Sequence, residues 1–379
     1  MILVHINERC ILQMGKKIRV GILFGGKSVE HEVSLLSAKN VFNAIDKNKY
    51  EVALIGIEKS GKWLLSDKSK ILLKANNSKL VGLNKVNKRS IALLPQGGGE
   101  LTNLSSKEIY APISVVFPVL HGSFGEDGTV QGLLKLAGVP FVGASVLGSA
   151  IGMDKDVQKR LLRDASIPIA KFLVFKEKNK INFEKVSAEV GLPFFVKPAN
   201  GGSSVGVSKI KNKIDFKKAV DEAFLYDSKI IIEEFVEGRE VECAVLGNKN
   251  PIASVVGEII SNHEFYSYDA KYVDENGASL EVPAKISVEV SRCIRELAIE
   301  TFKVLSCEGM GRVDFFLKKS GDLVVNEINT IPGFTKISMY PRLWEASGIS
   351  YSELINRLIE LAVERFQKEK KLKTSFSRL

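Results

Sequence analysis

The sequence predicts an α/β protein, with an N-terminal doubly wound parallel-sheet domain followed by two smaller α+β units. Three observations carry this. Apolar strand-like runs alternate with helix-period segments up to about residue 150, the pattern of strand–helix–strand units that bury a parallel sheet. Beyond that point short strands flank a loop rich in glycine and serine, and antiparallel pairs follow. The 379 residues are enough for two or three domains. The texture places boundaries at about 17–150, 151–238 and 239–379.

"KIRVGILFGG" reads as a buried strand, Ile18 to Phe24, running into glycines. "SVEHEVSLLSAKNVFNAI" follows as a helix with Ser28 a candidate N-cap. "YEVALIGIE" is a second strand, and residues 58–110 read as an irregular insertion. "ISVVFPVLHG" is a buried strand, "GTVQGLLKLAG" a helix closed by Gly138, and "PFVGAS" a short strand. In the second unit "KDVQKRLLRDA" is a helix and "PIAKFLVF" a strand. "PFFVKPA" and "VGVSKI" flank the loop "NGGSS". "FKKAVDEAFLY" is a helix and "KIIIEEFV" a strand. In the third unit "REVECAVLG" and "IASVVGEII" read as an antiparallel pair. "SVEVSRCIRELAIETFKVLS" is a long helix, "GRVDFFL" and "DLVVNEIN" a hairpin, and helices end the chain.

Gly21 to Ser28, "GILFGGKS", matches the phosphate-loop pattern G-x-x-x-x-G-K-[ST] letter for letter. A phosphate loop needs its x positions in loop conformation, whereas Ile22, Leu23 and Phe24 continue the apolar run. Gly25 and Gly26 still mark the sheet edge at which open α/β folds bind ligands. Glu30 would face that crevice, or act only as a favourable charge at a helix start.

"GRVDFFLKKSGDLVVNEINT" is the most informative stretch. A two-residue turn at Ser320–Gly321 would set Asp314 opposite Glu327 and Arg312 opposite Asn329, all on one face. Val313, Phe315, Val325 and Ile328 would fill the other face. Opposed carboxylates destabilise a sheet. Two carboxylates and an amide are tolerated better with a hard dication such as Mg²⁺ between them, the alternative being a solvated strand face. Lys197, ending an apolar strand beside the glycine loop, and Lys155, after "IGMD", could meet phosphates or simply be solvated. "IIIEEFVEG" could offer strand backbone to an adenine, with Glu240 near a ribose; alone, an ordinary strand end is the stronger reading.

Composition bounds the rest. Hydrophobic residues make up 45% and charged residues 26%, as in ordinary globular proteins. No apolar run reaches the length of a membrane span, and no signal-peptide cleavage pattern opens the chain. Cys10, Cys243, Cys293 and Cys307 lack metal or redox spacing, which suggests a cytoplasmic setting. The net charge of +10 carries no nucleic-acid motif with it. Anionic small substrates account for it more simply.

Taken together, "FGGKSVEHEVSLLSA", "LHGSFGEDGTVQG", "GMDK", "VKPANGGSSVGVSK", "EEFVEGRE", "YDAKY", "GRVDFF" and "NEINTIPGFTKISMYP" resemble the D-alanine–D-alanine ligase family of the ATP-grasp superfamily, over about residues 17–365. The resemblance implies a two-part ATP-grasp fold after the N-terminal domain. It implies that Lys155, Lys197 and Lys271 meet ATP phosphates, that Glu233, Phe235 and Val236 contact adenine, and that Glu240 binds ribose. Asp314, Glu327 and Asn329 would hold two Mg²⁺ ions, with Mn²⁺ able to substitute. The glycine–serine loop would close over the triphosphate. Glu30 would bind the first substrate's ammonium, with His121 near its carboxylate, and Ser338 and Met339 would line the second pocket. Arg312 and the Gly333 N–H would stabilise an oxyanion, and Tyr272 would join Glu30 and Ser203 in a hydrogen-bonded trio. A homodimer joined through the N-terminal domain is also implied. The departures are the N-terminal extension, the 58–110 insertion, and Phe235 where other members carry tryptophan. Rival readings are a phosphate-loop NTPase, a noncatalytic binding module, and a ligase that joins D-alanine to D-lactate or D-serine.

Overall fold

The computed structural model describes residues 17–66, 88–261 and 278–373. Within them three sheets follow one another along the chain. The first has the order β6-β5-β4-β3-β2-β1-β7. Its strands are β1 (Ile18–Gly25), β2 (Tyr50–Ile57), β3 (Trp63–Ser66), β4 (Lys88–Leu93), β5 (Leu101–Asn103), β6 (Ile109–Tyr110) and β7 (Val115–Val119). Strand β1 lies parallel to both β2 and β7, and its apolar run is covered on both sides. Val20, Ile22 and Phe24 pack with Leu35, Ala38 and Val41 of α1 (His31–Ala44). Leu23 packs with Leu134 of α2 (Thr129–Leu136).

Two expectations change here. The described parts of the 58–110 stretch, 58–66 and 88–110, supply β3 to β6, which extend the sheet in antiparallel fashion. These strands are only two to six residues long, too short to show a period of two. "PFVGAS", expected as a strand, makes only a single bridge from Phe141 to Val116, and Gly143 then turns the chain away at φ +97°. Gly138 follows α2 at φ +69°, as its place in the sequence requires.

The second sheet, β10-β9-β11-β8, is built from β8 (Phe172–Phe175), β9 (Phe194–Pro198), β10 (Ser208–Ile210) and β11 (Ile230–Glu234). Before it come α3 (Val146–Met153) and α4 (Lys155–Asp164); α5 (Phe183–Val190) and α6 (Phe216–Tyr226) cover it. The third sheet, β14-β13-β12-β15-β16, comprises β12 (Arg239–Gly247), β13 (Ile252–Ser261), β14 (Ala278–Glu281), β15 (Gly309–Leu317) and β16 (Leu323–Asn329). Helix α7 (Val288–Val304), capped by Ser287, lays Ile294, Ala298 and Phe302 against one face.

Helices α8 (Met339–Ala346) and α9 (Tyr351–Lys370) end the described chain. Leu354, Ile355, Leu358 and Ile359 of α9 share one core with Val20 and Phe24 of β1 and with Leu246 and Met310 of the third sheet. The buried Arg365 donates to the carbonyls of Phe141 (2.8 Å) and Gly143 (2.5 Å). The first and last parts of the chain are therefore welded by burial and cannot drift apart without exposing that core.

Leu358→Ala should cost about 2–4 kcal/mol of stability, read from urea unfolding, whereas Val288→Ala, 79% exposed, should cost almost nothing. Burial pushes the Cys243 and Cys307 thiols up to about 12, while Cys293 is exposed. Alkylation of the native protein, mapped by peptide mass, should therefore mark Cys293 and leave Cys243 and Cys307 until the protein is unfolded.

Candidate active site

The crevice begins where β1 leaves its sheet. Gly25 and Gly26 turn the chain at φ +93° and +100°, and a Cβ on Gly25 would sit 2.2 Å from the Ile57 carbonyl oxygen. Because Ile22, Leu23 and Phe24 are strand, no phosphate loop exists here, and the Lys27 ammonium lies over the Phe124 ring at 5.2 Å. Ser28 is not the N-cap of α1. Its hydroxyl donates to the His121 carbonyl (2.6 Å), and Glu30 takes the cap position without capping through its side chain. The Glu30 carboxylate instead accepts a short hydrogen bond from Ser203 in the glycine–serine loop. It is nearly buried and closely walled: a Cβ on Gly122 would approach its Oε2 to 2.9 Å, one on Gly202 to 3.0 Å. Two of the three expected trio members are thus in contact; Tyr272 lies outside the described residues, as does Lys271.

The loop itself is held in an unusual backbone. Ser203 and Ser204 take φ values of +51° and +59°, a left-handed region that costs a non-glycine residue roughly 1–2 kcal/mol each. Lys155 fastens the loop from the other side. Its ammonium donates to the Gly201 carbonyl (2.8 Å) and lies 3.2 Å from Glu327 Oε2.

His121 is buried between two parts of the chain. Its Nδ1 meets the Ile331 carbonyl (3.0 Å) and its Nε2 the Ser37 hydroxyl (3.3 Å). Burial pulls its pKa below the usual histidine value, with Glu30 and the Ile331 carbonyl opposing. Beside it Glu126 accepts from the N–H groups of Gly122 (2.6 Å) and Ile331 (3.2 Å). Burial, then the nearby Glu30, pushes the Glu126 carboxyl up to about 8.

The hairpin pairs as expected at the residues that matter: Asp314 faces Glu327 and Arg312 faces Asn329. The turn does not. The strands end at Leu317 and restart at Leu323, one step out of the expected register, and a bulge at Asn326 restores it before Glu327. Val313, Phe315, Val325 and Ile328 are buried on the opposite face. Glu242 of β12 stands next to Asp314, so three carboxylates form a row across β12, β15 and β16. Arg312 already meets two of them: Nε and Nη2 pair with Asp314 at 2.7 Å each, and Nε lies 2.9 Å from Glu242. Although burial opposes it, those acids raise the guanidinium pKa well above the ordinary arginine value. Arg312 is thus a counter-ion of the row as well as a candidate oxyanion donor. Among the described residues no three His, Cys, Asp or Glu side chains converge as a metal cluster. The donor set still suits a hard dication: Asp314, Glu327 and the Asn329 Oδ1, which is buried without a hydrogen-bond partner.

At the other expected positions, Ser338 Oγ accepts from the Thr335 N–H (3.0 Å) and would lie 2.7 Å from a Cβ on Gly333, so that position admits glycine alone without rearrangement. The Met339 side chain is buried in the core against Gly257. Glu233 is buried, and its carboxylate is taken by Lys159 and Lys197, one on each oxygen. Phe235 is partly exposed, with the Lys209 ammonium 3.9 Å above its ring. Its N–H donates to the Pro193 carbonyl (3.3 Å). Val236 is buried with Ala170 and Val324, and Glu240 is half-buried in β12.

Three buried residues escaped the sequence reading. Glu242 lies two places after Glu240 on one strand face, and Lys159 lies one helical turn after Lys155, so periodicity could have found both. Glu126 sits in a turn with no period to reveal it.

Family profiles described as D-ala D-ala ligase N-terminus and C-terminus match residues 19–144 and 161–360. A D-alanine--D-alanine ligase of Shouchella clausii is 53% identical over 365 residues, 96% of this chain and 99% of that protein. The solved D-alanine-D-alanine ligase of Coxiella burnetii superposes with a TM-score of 0.84 at 39% identity, covering 94% of this chain and 96% of that one. The VanG D-Ala:D-Ser ligase of Enterococcus faecalis superposes at 0.82 and 37% identity, covering 92% and 100%.

The two lysine-bearing stretches separate by experiment. Lys27→Ala should leave ATP affinity within about twofold of the parent, and Lys197→Ala should weaken it about tenfold or more by equilibrium titration. An essential Lys27 would restore the phosphate-loop reading.

Proposed function

The chain belongs to the D-alanine–D-alanine ligase family, and on that footing we propose that it joins two D-alanines to D-alanyl-D-alanine for peptidoglycan precursor synthesis, with ATP converted to ADP and phosphate. One observation carries the reading most strongly. The glycine–serine loop is fastened at once to Glu30, through Ser203, and to Glu327, through Lys155. A loop so placed spans from an amino-acid ammonium site to a phosphate and metal site.

The chemistry follows from that span. A carboxylate oxygen of the first D-alanine attacks the γ-phosphorus of ATP, ADP leaves, and an acyl phosphate forms. The amine of the second D-alanine then attacks the carbonyl carbon and loses a proton as phosphate departs. Glu30 fixes the first ammonium, with His121 near the carboxylate. Charge builds on an oxygen of the tetrahedral carbon, where the Arg312 guanidinium and the Gly333 N–H would receive it. Ser338 would hold the second carboxylate. Lys155, Lys197 and Lys271 would meet the phosphates, Glu233, Phe235 and Val236 the adenine, and Glu240 the ribose. Asp314, Glu327 and Asn329 would hold two Mg²⁺ ions, or Mn²⁺, which when bound neutralise the transferring phosphoryl group. We place Tyr272 with Glu30 and Ser203, and expect a cytoplasmic homodimer joined through the N-terminal domain. No described helix is long and apolar enough to cross a membrane.

Incubation with ATP, Mg²⁺ and D-alanine should release phosphate and yield D-alanyl-D-alanine. With D-lactate or D-serine in equimolar competition the main product should remain the dialanine; a depsipeptide or D-alanyl-D-serine in excess would move the chain to a different branch of the family. Asp314→Asn or Glu327→Gln should lower kcat by about a thousandfold with the fold intact by circular dichroism. Retained turnover at ordinary magnesium concentration would remove the hairpin from the metal site.

A further inference from the structure

Lys159 is the largest departure from ordinary lysine behaviour in the described chain: its side chain is 0% exposed, in α4. An ammonium sealed from water is costly unless fully paired. Its pairing reaches three elements. It meets Glu233 of β11 on Oε1, while Lys197 of β9 meets the same carboxylate on Oε2. It also donates to the Asn326 carbonyl (3.4 Å), the bulge residue that sets the register of Glu327. Burial pulls the Lys159 pKa down, with Glu233 opposing and Lys197 adding to the fall. The two lysines outweigh burial on Glu233 and keep its carboxyl below the usual range.

We infer that Lys159 is a positioning residue of the nucleotide site: it holds one oxygen of Glu233, so that Lys197 is restrained by only the other and stays available to phosphate. The inference rests on the ATP-binding reading above. The geometry gives it content. With Lys159 present, each ammonium has one carboxylate oxygen, and the trio carries a surplus positive charge for a polyanion. Without Lys159, a buried carboxylate would have Lys197 as its remaining cation and would draw that ammonium fully onto itself. The surplus charge would vanish and Lys197 would be withdrawn from the phosphates. Lys159 touches none of the reacting atoms, and its contact with the bulge carbonyl ties the same restraint to the strand that carries Glu327.

The test uses the full chain with Lys159→Met, Glu233→Gln and the double substitution, and measures ATP affinity by calorimetry alongside KM for D-alanine. Wild-type protein is titrated first; if it fails to bind ATP, the functional reading fails and not this inference alone. Given wild-type binding, Lys159→Met should weaken ATP about tenfold or more while KM for D-alanine stays within about twofold. Measured against Glu233→Gln alone, so that any lost adenine contact cancels, the added Lys159→Met should cost less than about fivefold in ATP affinity, because the neutral amide no longer draws on Lys197. A purely structural lysine would move both constants together and cost as much in the Glu233→Gln background as in the parent; either result overturns the proposal, as does unchanged ATP affinity in Lys159→Met. If the single variant does not fold, the double variant decides, since it removes the sealed carboxylate and leaves only Lys197, whose side chain still reaches solvent. Binding within about fivefold of Glu233→Gln alone supports the inference, and a further loss beyond about tenfold overturns it.

Discussion

Three carboxylates stand in one row across neighbouring strands, Glu242, Asp314 and Glu327, and the structure around them is organised by the need to compensate that charge. Like charges facing each other in a sheet repel, and partial burial removes the water that would screen them. Arg312 answers Asp314 and Glu242 from within the same sheet. Lys155 answers Glu327 from a helix of the preceding unit and in doing so fixes the glycine–serine loop. The row is therefore both a liability and a means of assembly. It recruits cations from elsewhere in the chain, and those cations bring the loop to the place where a phosphate and its metal would sit.

The same logic recurs at the junction of the first and third sheets. Glu126 takes backbone N–H groups from Gly122 and Ile331, and His121 takes the Ile331 carbonyl. Residues from the first sheet's exit loop and from the segment after β16 are thus joined at one residue, Ile331, through its N–H and its carbonyl. Gly333 and Ser338 follow on that segment, packed so closely that a methyl group on Gly333 would collide with the Ser338 hydroxyl. The loop after β7 and the segment proposed to receive an oxyanion are held in register by buried polar contacts, on elements that share a hydrophobic core.

Much of this was legible in the sequence, for physical reasons that differ by element. Buried strands such as β1 and β12 announce themselves because every side chain must be apolar or paired. The Asp314–Glu327 pairing was readable because alternation fixes which residues share a face. It came out right through two compensating differences, a longer turn and a bulge at Asn326, neither of which leaves a mark in the side-chain pattern. Strands β3 to β6 stayed hidden because each is too short for alternation to show. Ser28 was read as a cap from residue type alone, but the His121 carbonyl offers its hydroxyl a better partner. Glu233 was read from family resemblance as an adenine contact; only coordinates reveal that both of its oxygens are taken by lysines. Periodicity marks Lys159 as facing the same way as Lys155, but neither its ion pair with Glu233 nor the backbone partners of Glu126 have a local signature, so their roles emerge only once folding brings those partners together.

The central claim is that one crevice activates a carboxylate by phosphorylation and then hands it to an amine. The most direct measurement follows the oxygen. D-alanine carrying isotopically heavy oxygen in its carboxylate is incubated with ATP, Mg²⁺ and the protein, and the released phosphate is examined by mass. Attack of the carboxylate on the γ-phosphorus, followed by cleavage of the acyl carbon–oxygen bond, places one heavy oxygen in each phosphate released with dipeptide. Phosphate formed at the same rate as dipeptide but free of the label would contradict the account, because the carboxylate would then never have been joined to phosphorus.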